Sequence, residues 1–261
     1  MTNASAVGSE MPPARETRFS VGGVNLSCID RPTAVDRFFA LATAHAGGYV
    51  TITDAHSIVA AQSDLRLRAI INNGRLALPD GMPGVWVGRL KGYPVSRVAG
   101  EDFLRGVFGD PRARALRHAF YGGDAESAAR VVAKAEQQIG RDAIAGWHAP
   151  PFREAGALED EAVIEKIVAT TPDVIWVGLG APKQEYWMAN HGRFFPQTLL
   201  VGAGAALDFY AGLRSRAPMW MQSNGLEWLF RVLHEPQRLW PRYRRVVPAM
   251  LRIMVAEAMH R

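Results

Sequence analysis

The 261-residue sequence predicts an α/β fold: a doubly wound, mostly parallel sheet, an N-terminal hairpin and a helical C-terminal appendage. Three observations carry that expectation. From Ala115 onward, short apolar strands alternate with stretches of helical spacing, the pattern of strands joined by crossover helices. Val174–Val177 is apolar at consecutive positions, which suits a strand covered on both faces. From Ala217 to His260 the strand signals stop and only helical segments remain. The first two features make the body Rossmann-like; the third sets the appendage apart.

The elements follow in order. Phe19–Ile29 alternates around Gly22-Gly23 and reads as a hairpin. Pro32–Ala46 is helical, with Val35, Phe38, Phe39 and Ala42 on one face. Tyr49–Thr53 is a β-branched strand running into Asp54, a helix N-cap. Leu65–Ile71 is helical and stops at Asn72-Asn73-Gly74, Leu76–Leu78 is a short strand, and a helix runs from about Pro83 to Leu90. Then come strand His118–Tyr121, helix Ala125–Ile139, strand Ala143–Trp147, helix Glu159–Ala169, strand Asp173–Leu179, helix Lys183–Asn190 and strand Thr198–Val201. In the tail, Pro218–Leu233 and about Pro236–His260 read as helices with Pro236 at their boundary. The expected organisation is a disordered leader over 1–17, an α/β core over 18–213 and a basic helical appendage over 214–261.

Composition narrows the function. Hydrophobic residues make up 48% of the chain, enough for a full core, and the single cysteine, Cys28, excludes a disulfide framework. The net charge of +5 is unevenly placed. From Arg214 onward there are nine arginines against three glutamates, so the rest of the chain is close to neutral. No window reaches about 18 uninterrupted apolar residues, so no transmembrane helix is expected. The first residues lack a signal peptide's apolar run, and a cytoplasmic location is expected. The near-neutral body offers no basic groove for nucleic acid.

Open parallel sheets hold ligands beyond the carboxyl ends of their strands. Three glycine turns occupy that place: Tyr121-Gly122-Gly123-Asp124, the stretch from Gly178 through Gly180 to Glu185, and Gly202-Ala203-Gly204-Ala205. Glycine lets backbone approach a ligand, and the helix that follows favours phosphate. Neither a GxGxxG fingerprint nor a Walker loop is present, and tight turns without a ligand are an equal alternative. Asp80, directly after a short strand and before Gly81, stands where a general base would project into the same crevice; the plainer alternative is a turn aspartate capping the next helix. Lys183 and Gln184 open a helix where they would meet sugar or phosphate, whereas Glu185 suits the helix dipole with no ligand at all. His56, His118, His148 and His191 lack metal-ligand spacing, and Cys28 reads as buried filler. Tail arginines among Trp220, Trp228 and Trp240 suit a diphosphate or an anionic membrane; the alternative is a solvated face with the tryptophans in the core.

In order along the chain, VTITDAH (Val50–His56), LPDGMP (Leu78–Pro83), RVAGED (Arg97–Asp102), VGLGAPKQEYWM (Val177–Met188), GAGAALDFYAG (Gly202–Gly212) and RAPMWMQSNGLEWLFRVLHEPQRLWPRY (Arg216–Tyr243) together resemble the WecG/TagA/CpsF family of bacterial glycosyltransferases. The resemblance spans roughly Phe19 to Arg245. It implies sugar transfer from a nucleoside diphosphate donor, here a UDP-sugar, to an undecaprenyl-diphosphate-linked saccharide at the inner leaflet of the cytoplasmic membrane. It implies inversion and no metal or other cofactor, with Asp80 as base and Gln184 near the reaction centre. Arg231, Arg238 and Arg242 match arginines thought to bind the diphosphate. Thr53, Asp54, Gly122, Gly123, Gly180, Lys183 and Asp208 complete the expected substrate-binding set. The family's appendage is linked to a monomer–oligomer switch, which admits a homo-oligomer. One turn departs from the pattern: many members carry Thr-x-Asn where this chain has Asp54, and an aspartate cannot donate as an amide does. N-acetylmannosamine is therefore not assumed, and a hexose donor for exopolysaccharide synthesis is an equal expectation.

Two other classes compete. A dinucleotide-dependent oxidoreductase would need a fingerprint that is missing. A non-catalytic membrane-associated scaffold of polysaccharide assembly would keep the tail but have no use for Asp80 and Gln184 in a crevice.

Overall fold

A computed structural model describes residues 17–259 apart from 152, 153, 155, 157 and the side chain of Arg238. The expected leader, 1–17, thus falls outside the described residues except for its last position. The first two strands, β1 (Arg18–Val21) and β2 (Val24–Ser27), pair antiparallel. Gly22 and Gly23 both take positive φ at their turn, 57° and 80°, which side-chain-bearing residues resist.

The main sheet has six strands: β3 (Tyr49–Thr53), β4 (Leu76–Pro79), β5 (His118–Gly122), β6 (Ile144–His148), β7 (Val174–Gly178) and β8 (Leu199–Gly202). Their order is β4-β3-β8-β7-β5-β6, and every pair is parallel. Both faces are buried. In β7, Val174 and Trp176 enter one core while Ile175 and Val177 enter the other; β8 divides Leu199 and Val201 from Leu200 likewise. That is the strand pleat with no polar side left over.

One face is covered by α1 (Arg31–Thr43), α5 (Gly100–Phe108), α6 (Ala125–Ile139) and α9 (Ala206–Tyr210). The other is covered by α7 (Glu161–Ala169) and α8 (Lys183–His191). The hairpin, α2 (Ala55–Ser63), α3 (Leu65–Asn73) and α4 (Met82–Leu90) form a third apolar cluster, which Met250 of the tail completes. Cys28 packs half-buried against it.

Chain order reverses at two points in the sheet. From β3 the chain moves out to the edge strand β4, while β8 lies on its other side; from β5 it moves out to β6, while β7 lies on its other side. At the β5–β7 gap the connections leave in opposite directions, to β6 and to β8, and at the β3–β8 gap β3 leads out to β4 while β8, the last strand, leads into the tail; both gaps open a crevice at the carboxyl ends.

The tail is helical, as the sequence predicts, but segmented differently. The expected helix Pro218–Leu233 is two, α10 (Met219–Ser223) and α11 (Glu227–His234). Gly225 breaks them with a φ of 70°, and a Cβ there would lie 2.9 Å from the Trp86 ring, so the turn is pressed against α4. α12 (Pro236–Met259) runs on through Pro241 and Pro248, each of which removes a backbone donor. Tertiary contacts hold it: it packs on α2 and α4, and near its end Glu257 accepts from the Gly22 N–H at 2.6 Å and meets Lys91 Nζ at 2.5 Å. Helix α5 has no counterpart in the sequence reading. Two glycines within nine residues weaken its intrinsic signal, and buried Phe103, Leu104, Val107 and Phe108 supply what propensity does not.

Candidate active site

The first crevice lies between β3 and β8. Thr53 stands opposite Pro79 in the β3–β4 register, so the next residue of each strand, Asp54 and Asp80, emerges at the same place. The Asp80 N–H donates to the Thr53 carbonyl at 3.1 Å. The two carboxylates then part company. Asp54 caps α2, accepting from the backbone N–H of Ser57 at 2.8 Å and its hydroxyl at 2.9 Å. Asp80 caps nothing: α4 begins at Gly81 with no side-chain cap, which removes the plainer reading of this residue. Instead Arg97 grips it, donating through Nε to the Asp80 carbonyl at 2.7 Å and through Nη2 to its carboxylate at 3.3 Å. The same Nη2 donates to Glu227 at 2.7 Å.

These surroundings push the two acids apart. Burial raises the Asp80 pKa to about 7; Arg97 opposes the rise while Glu227 and Asp54 add to it. Its side chain keeps 28% of its surface open to the cleft, so the group is set deep yet reachable. Burial also works against the Asp54 carboxylate, but Arg242, His56 and the Ser57 bonds outweigh it and hold its pKa below the usual range. A carboxylate kept ionised beside one poised near neutrality is the arrangement in which acid–base roles separate.

Asp54, Asp80, Gly180, Gln184, Arg231 and Arg242 line one cavity of about 200 Å³, together with the Ala203–Ala206 turn and Arg97, Glu101, Arg216 and Glu227. The tail thus closes over the carboxyl end of the sheet. Arg242 Nη2 lies 3.4 Å from Asp54, and its buried Nε has no partner. Arg231 stacks over Phe209 at 5.5 Å and has no carboxylate partner among the described residues. Arg216 is anchored by Asp102, at 2.8 Å through Nη2, and by Glu101. Arg214 joins Asp208 and Glu235 at 2.9 and 3.0 Å.

Gln184 and Glu185 stand where the two crevices meet, and both are buried. The Gln184 amide nitrogen donates to the Gly202 carbonyl and to Glu185 Oε1, both at 3.1 Å. Gly202 presents only an acceptor, so the amide cannot be turned round without opposing two oxygens. Its Oε1 is left buried without a partner, ready to accept from a hydroxyl or amide in the cavity. Burial raises the Glu185 pKa to about 7, with Asp54 adding to the rise and bonds from Gln184 and its own N–H opposing it. Glu185 stands in the first turn of α8, as its reading without a ligand expects, and also supports the amide.

The second crevice, between β5 and β7, holds a cavity of about 370 Å³. Gly123, Lys183, Tyr121 and Trp187 line it; the two aromatic rings stack with centroids 4.2 Å apart. Gly122 takes a φ of 115°, and a Cβ there would lie 2.7 Å from the Gly178 backbone, so glycine is required where β5 and β7 separate. The turn after β7 serves both cavities: Gly178, Leu179 and Lys183 face this one, Gly180, Ala181 and Gln184 the other.

Two expected residues stand elsewhere. Thr53 is buried in the sheet with its Oγ1 3.1 Å from that of Thr51 and lines neither cavity, and Asp208 is engaged by Arg214. Arg238 lies in α12, its side chain outside the described set. Trp220 and Trp240 are 61% and 57% exposed, so they do not fill the core. His118 is buried between the Ala113 carbonyl and the Trp176 indole. Among the described residues no group of three or more His, Cys, Asp or Glu side chains is placed to hold a metal. Arg97, Arg216, Glu101 and Glu227 carry the site's electrostatics without having been singled out for it; the RVAGED and tail motifs that contain them were the only signal.

A fold with two carboxyl-end crevices and a poised aspartate fits a group-transfer enzyme. A sequence model of the "Glycosyl transferase WecG/TagA/CpsF family" matches residues 19–261. The chain belongs to this family and is a glycosyltransferase. It is 31% identical over 193 residues, 74% of this chain and 73% of the relative, to the N-acetylglucosaminyldiphosphoundecaprenol N-acetyl-beta-D-mannosaminyltransferase of Bacillus spizizenii. A Bacillus subtilis protein of the same name is 29% identical over 198 residues, 75% of each chain.

Proposed function

We propose that the protein transfers a sugar from a UDP-sugar to a saccharide carried on undecaprenyl diphosphate, inverting the anomeric carbon. The observation that carries this reading is Asp80: a reachable carboxyl with a pKa near 7, in the β3–β8 cavity together with tail arginines. The relatives' names support the acceptor class. The donor's nucleoside lies in the β5–β7 crevice against Tyr121, Gly122, Gly123 and Lys183. Its diphosphate crosses the turn at Gly180, and its sugar reaches Gln184 and Asp80. The shared turn supports this path, because one loop borders both cavities.

Asp80 takes the proton of an acceptor hydroxyl as that oxygen attacks the anomeric carbon opposite the diphosphate. The bond from that carbon to the diphosphate oxygen breaks, and UDP leaves with the electron pair. Arg231, Arg238 and Arg242 hold the charge that develops on UDP, the role fixed cations play best in a site closed to water. On this reading the reaction needs no metal, and turnover survives chelation. No helix among the described residues is long and apolar enough to cross a membrane; the exposed arginines Arg244, Arg245 and Arg252 beside Leu251 and Val255 support peripheral binding at the inner leaflet of the cytoplasmic membrane.

The test is a donor screen of UDP-N-acetylmannosamine, UDP-glucose and related sugars with N-acetylglucosaminyldiphosphoundecaprenol and longer lipid-linked saccharides. Transfer from UDP-N-acetylmannosamine would match the relatives. Transfer from a hexose donor alone would follow the departure at Asp54. The product's anomeric configuration against that of the donor reads out inversion. Absence of transfer from every donor to every lipid-linked acceptor would overturn the reading.

A further inference from the structure

A third cavity, of about 280 Å³, joins the Asp80 cleft from the side. Asp54, Asp80, Arg97, Glu227 and Arg231 border both spaces. Beyond those residues, which form its polar mouth, the lining has a broad apolar part, Met82 and Trp86 from α4 and Val246, Val247, Leu251 and Met254 from α12, beside His56, Gln222, Asn224 and Tyr243. The tail makes this groove, since α12 is one wall and the turn at Gly225 lies against Trp86. Trp86 and Leu251 remain 41% and 55% exposed, and one turn beyond Leu251 the apolar line continues at Val255 and Met259, 59% and 78% exposed. The spacing of four residues keeps Leu251, Val255 and Met259 on one side of the helix.

The ligand such a space recognises is anionic at one end and a thin apolar chain beyond it. The mouth brings Arg97 and Arg231 into the same space as Asp80, the side chain that would receive the acceptor's proton. A nucleoside would find few polar partners along Met82, Trp86, Val247 and Met254. A flat bilayer does not reach the bottom of a groove that ends at Asp80. We propose that this groove holds the first isoprene units of the acceptor's lipid, with its diphosphate at the polar mouth, and that Leu251, Val255 and Met259 lead the chain out to the bilayer. The proposal rests on the acceptor class given above. It makes the tail a wall of the acceptor site as well as a membrane contact.

Direct binding tests it without turnover. Inorganic pyrophosphate and geranyl, farnesyl and geranylgeranyl diphosphates are titrated against the full chain without membranes, below their aggregation limits. Affinity is expected to rise by about tenfold or more from pyrophosphate to the longest chain, as buried methylene groups accumulate. Val247→Glu, and independently Trp86→Ala at a half-exposed site that can lose its ring without opening the core, should erase most of that gain while UDP binding and the melting temperature stay as in the parent. Affinity that ignores chain length, or a gain that survives both substitutions, overturns the proposal. So does loss of binding to anionic vesicles in the variants with the chain-length gain intact, which would make this face a bilayer contact only. Variants that only weaken self-association would assign the face to a second copy, with the same consequence. Failure of every donor in the transfer screen would instead sink the catalytic reading, because chain-length binding does not depend on transfer.

Discussion

The two crevices at the carboxyl end of the sheet are built alike and equipped differently. Each is a gap beside a strand that leads outward to an edge strand, entered by a glycine turn and followed by a helix. In the β5–β7 crevice the stacked rings of Tyr121 and Trp187 stand among Asp124, Glu154 and Glu159, with Lys183 also in the lining. In the β3–β8 crevice Asp54, Asp80, Glu101 and Glu227 face Arg97, Arg216, Arg231 and Arg242. The backbone alone would make both sites for a phosphate. What separates them is supplied from outside the strand–turn–helix unit: β4 brings Asp80, and the tail brings three of the four arginines and Glu227. A doubly wound sheet provides two equivalent places, and the appendage decides which becomes reactive.

The sharpest way to break that comparison is to remove the reactive group. Asp80→Asn keeps the shape and the contact with Arg97 but cannot take a proton. Transfer should fall by about 10³-fold, within the range for loss of a general base, with donor binding measured by calorimetry little changed. Full activity would leave the two crevices chemically equivalent. Arg231→Ala should come next, with kcat falling by about 10²-fold, the scale of a lost contact to developing charge. Lys183→Ala in the other crevice should raise the donor KM about tenfold with kcat nearly unchanged, the signature of uniform binding. If Lys183 instead lowers kcat as Arg231 does, the division between a binding crevice and a reacting one is wrong.

The legible and illegible parts of the site follow the same line. Asp54, Asp80, Gly122, Gly180 and Gln184 could be placed from sequence because each sits at a strand end or helix start, where local rules apply. Asp54 as a cap is a three-residue interaction with Ser57. The Arg97–Glu227 pair joins residues 130 apart, and Arg216–Asp102 residues 114 apart; no local pattern encodes such partners, and only the folded tail brings them together. Helix α5 was hidden for the related reason that core burial outweighs its glycines. The excess charge of the tail was visible as a number, but its division was not. Arg214, Arg216 and Arg242 face carboxylates of the body or its own turns, Arg231 faces the cavity, and Arg244, Arg245 and Arg252 face outward.

The smallest expected effect tests whether the tail also tunes the chemistry it covers. The Asp80 carboxyl, raised from 3.8 to about 7, must be ionised to act as a base, so transfer should increase with pH and level off above about 7. Glu227 contributes to that rise by its charge, and it also holds the Arg97 nitrogen that would otherwise serve Asp80 alone. In Glu227→Gln both effects act in one direction: a negative neighbour is lost and the guanidinium is released toward the aspartate. The Asp80 pKa should fall, and the rising limb of kcat should move to lower pH by up to about one unit, with little change at pH 9 where the base is already ionised. A limb that moves up, or stays in place while kcat drops at every pH, would mean that Glu227 only anchors the tail. The tail would then supply shape and cations to the β3–β8 crevice, while the reactivity of Asp80 would belong to the sheet.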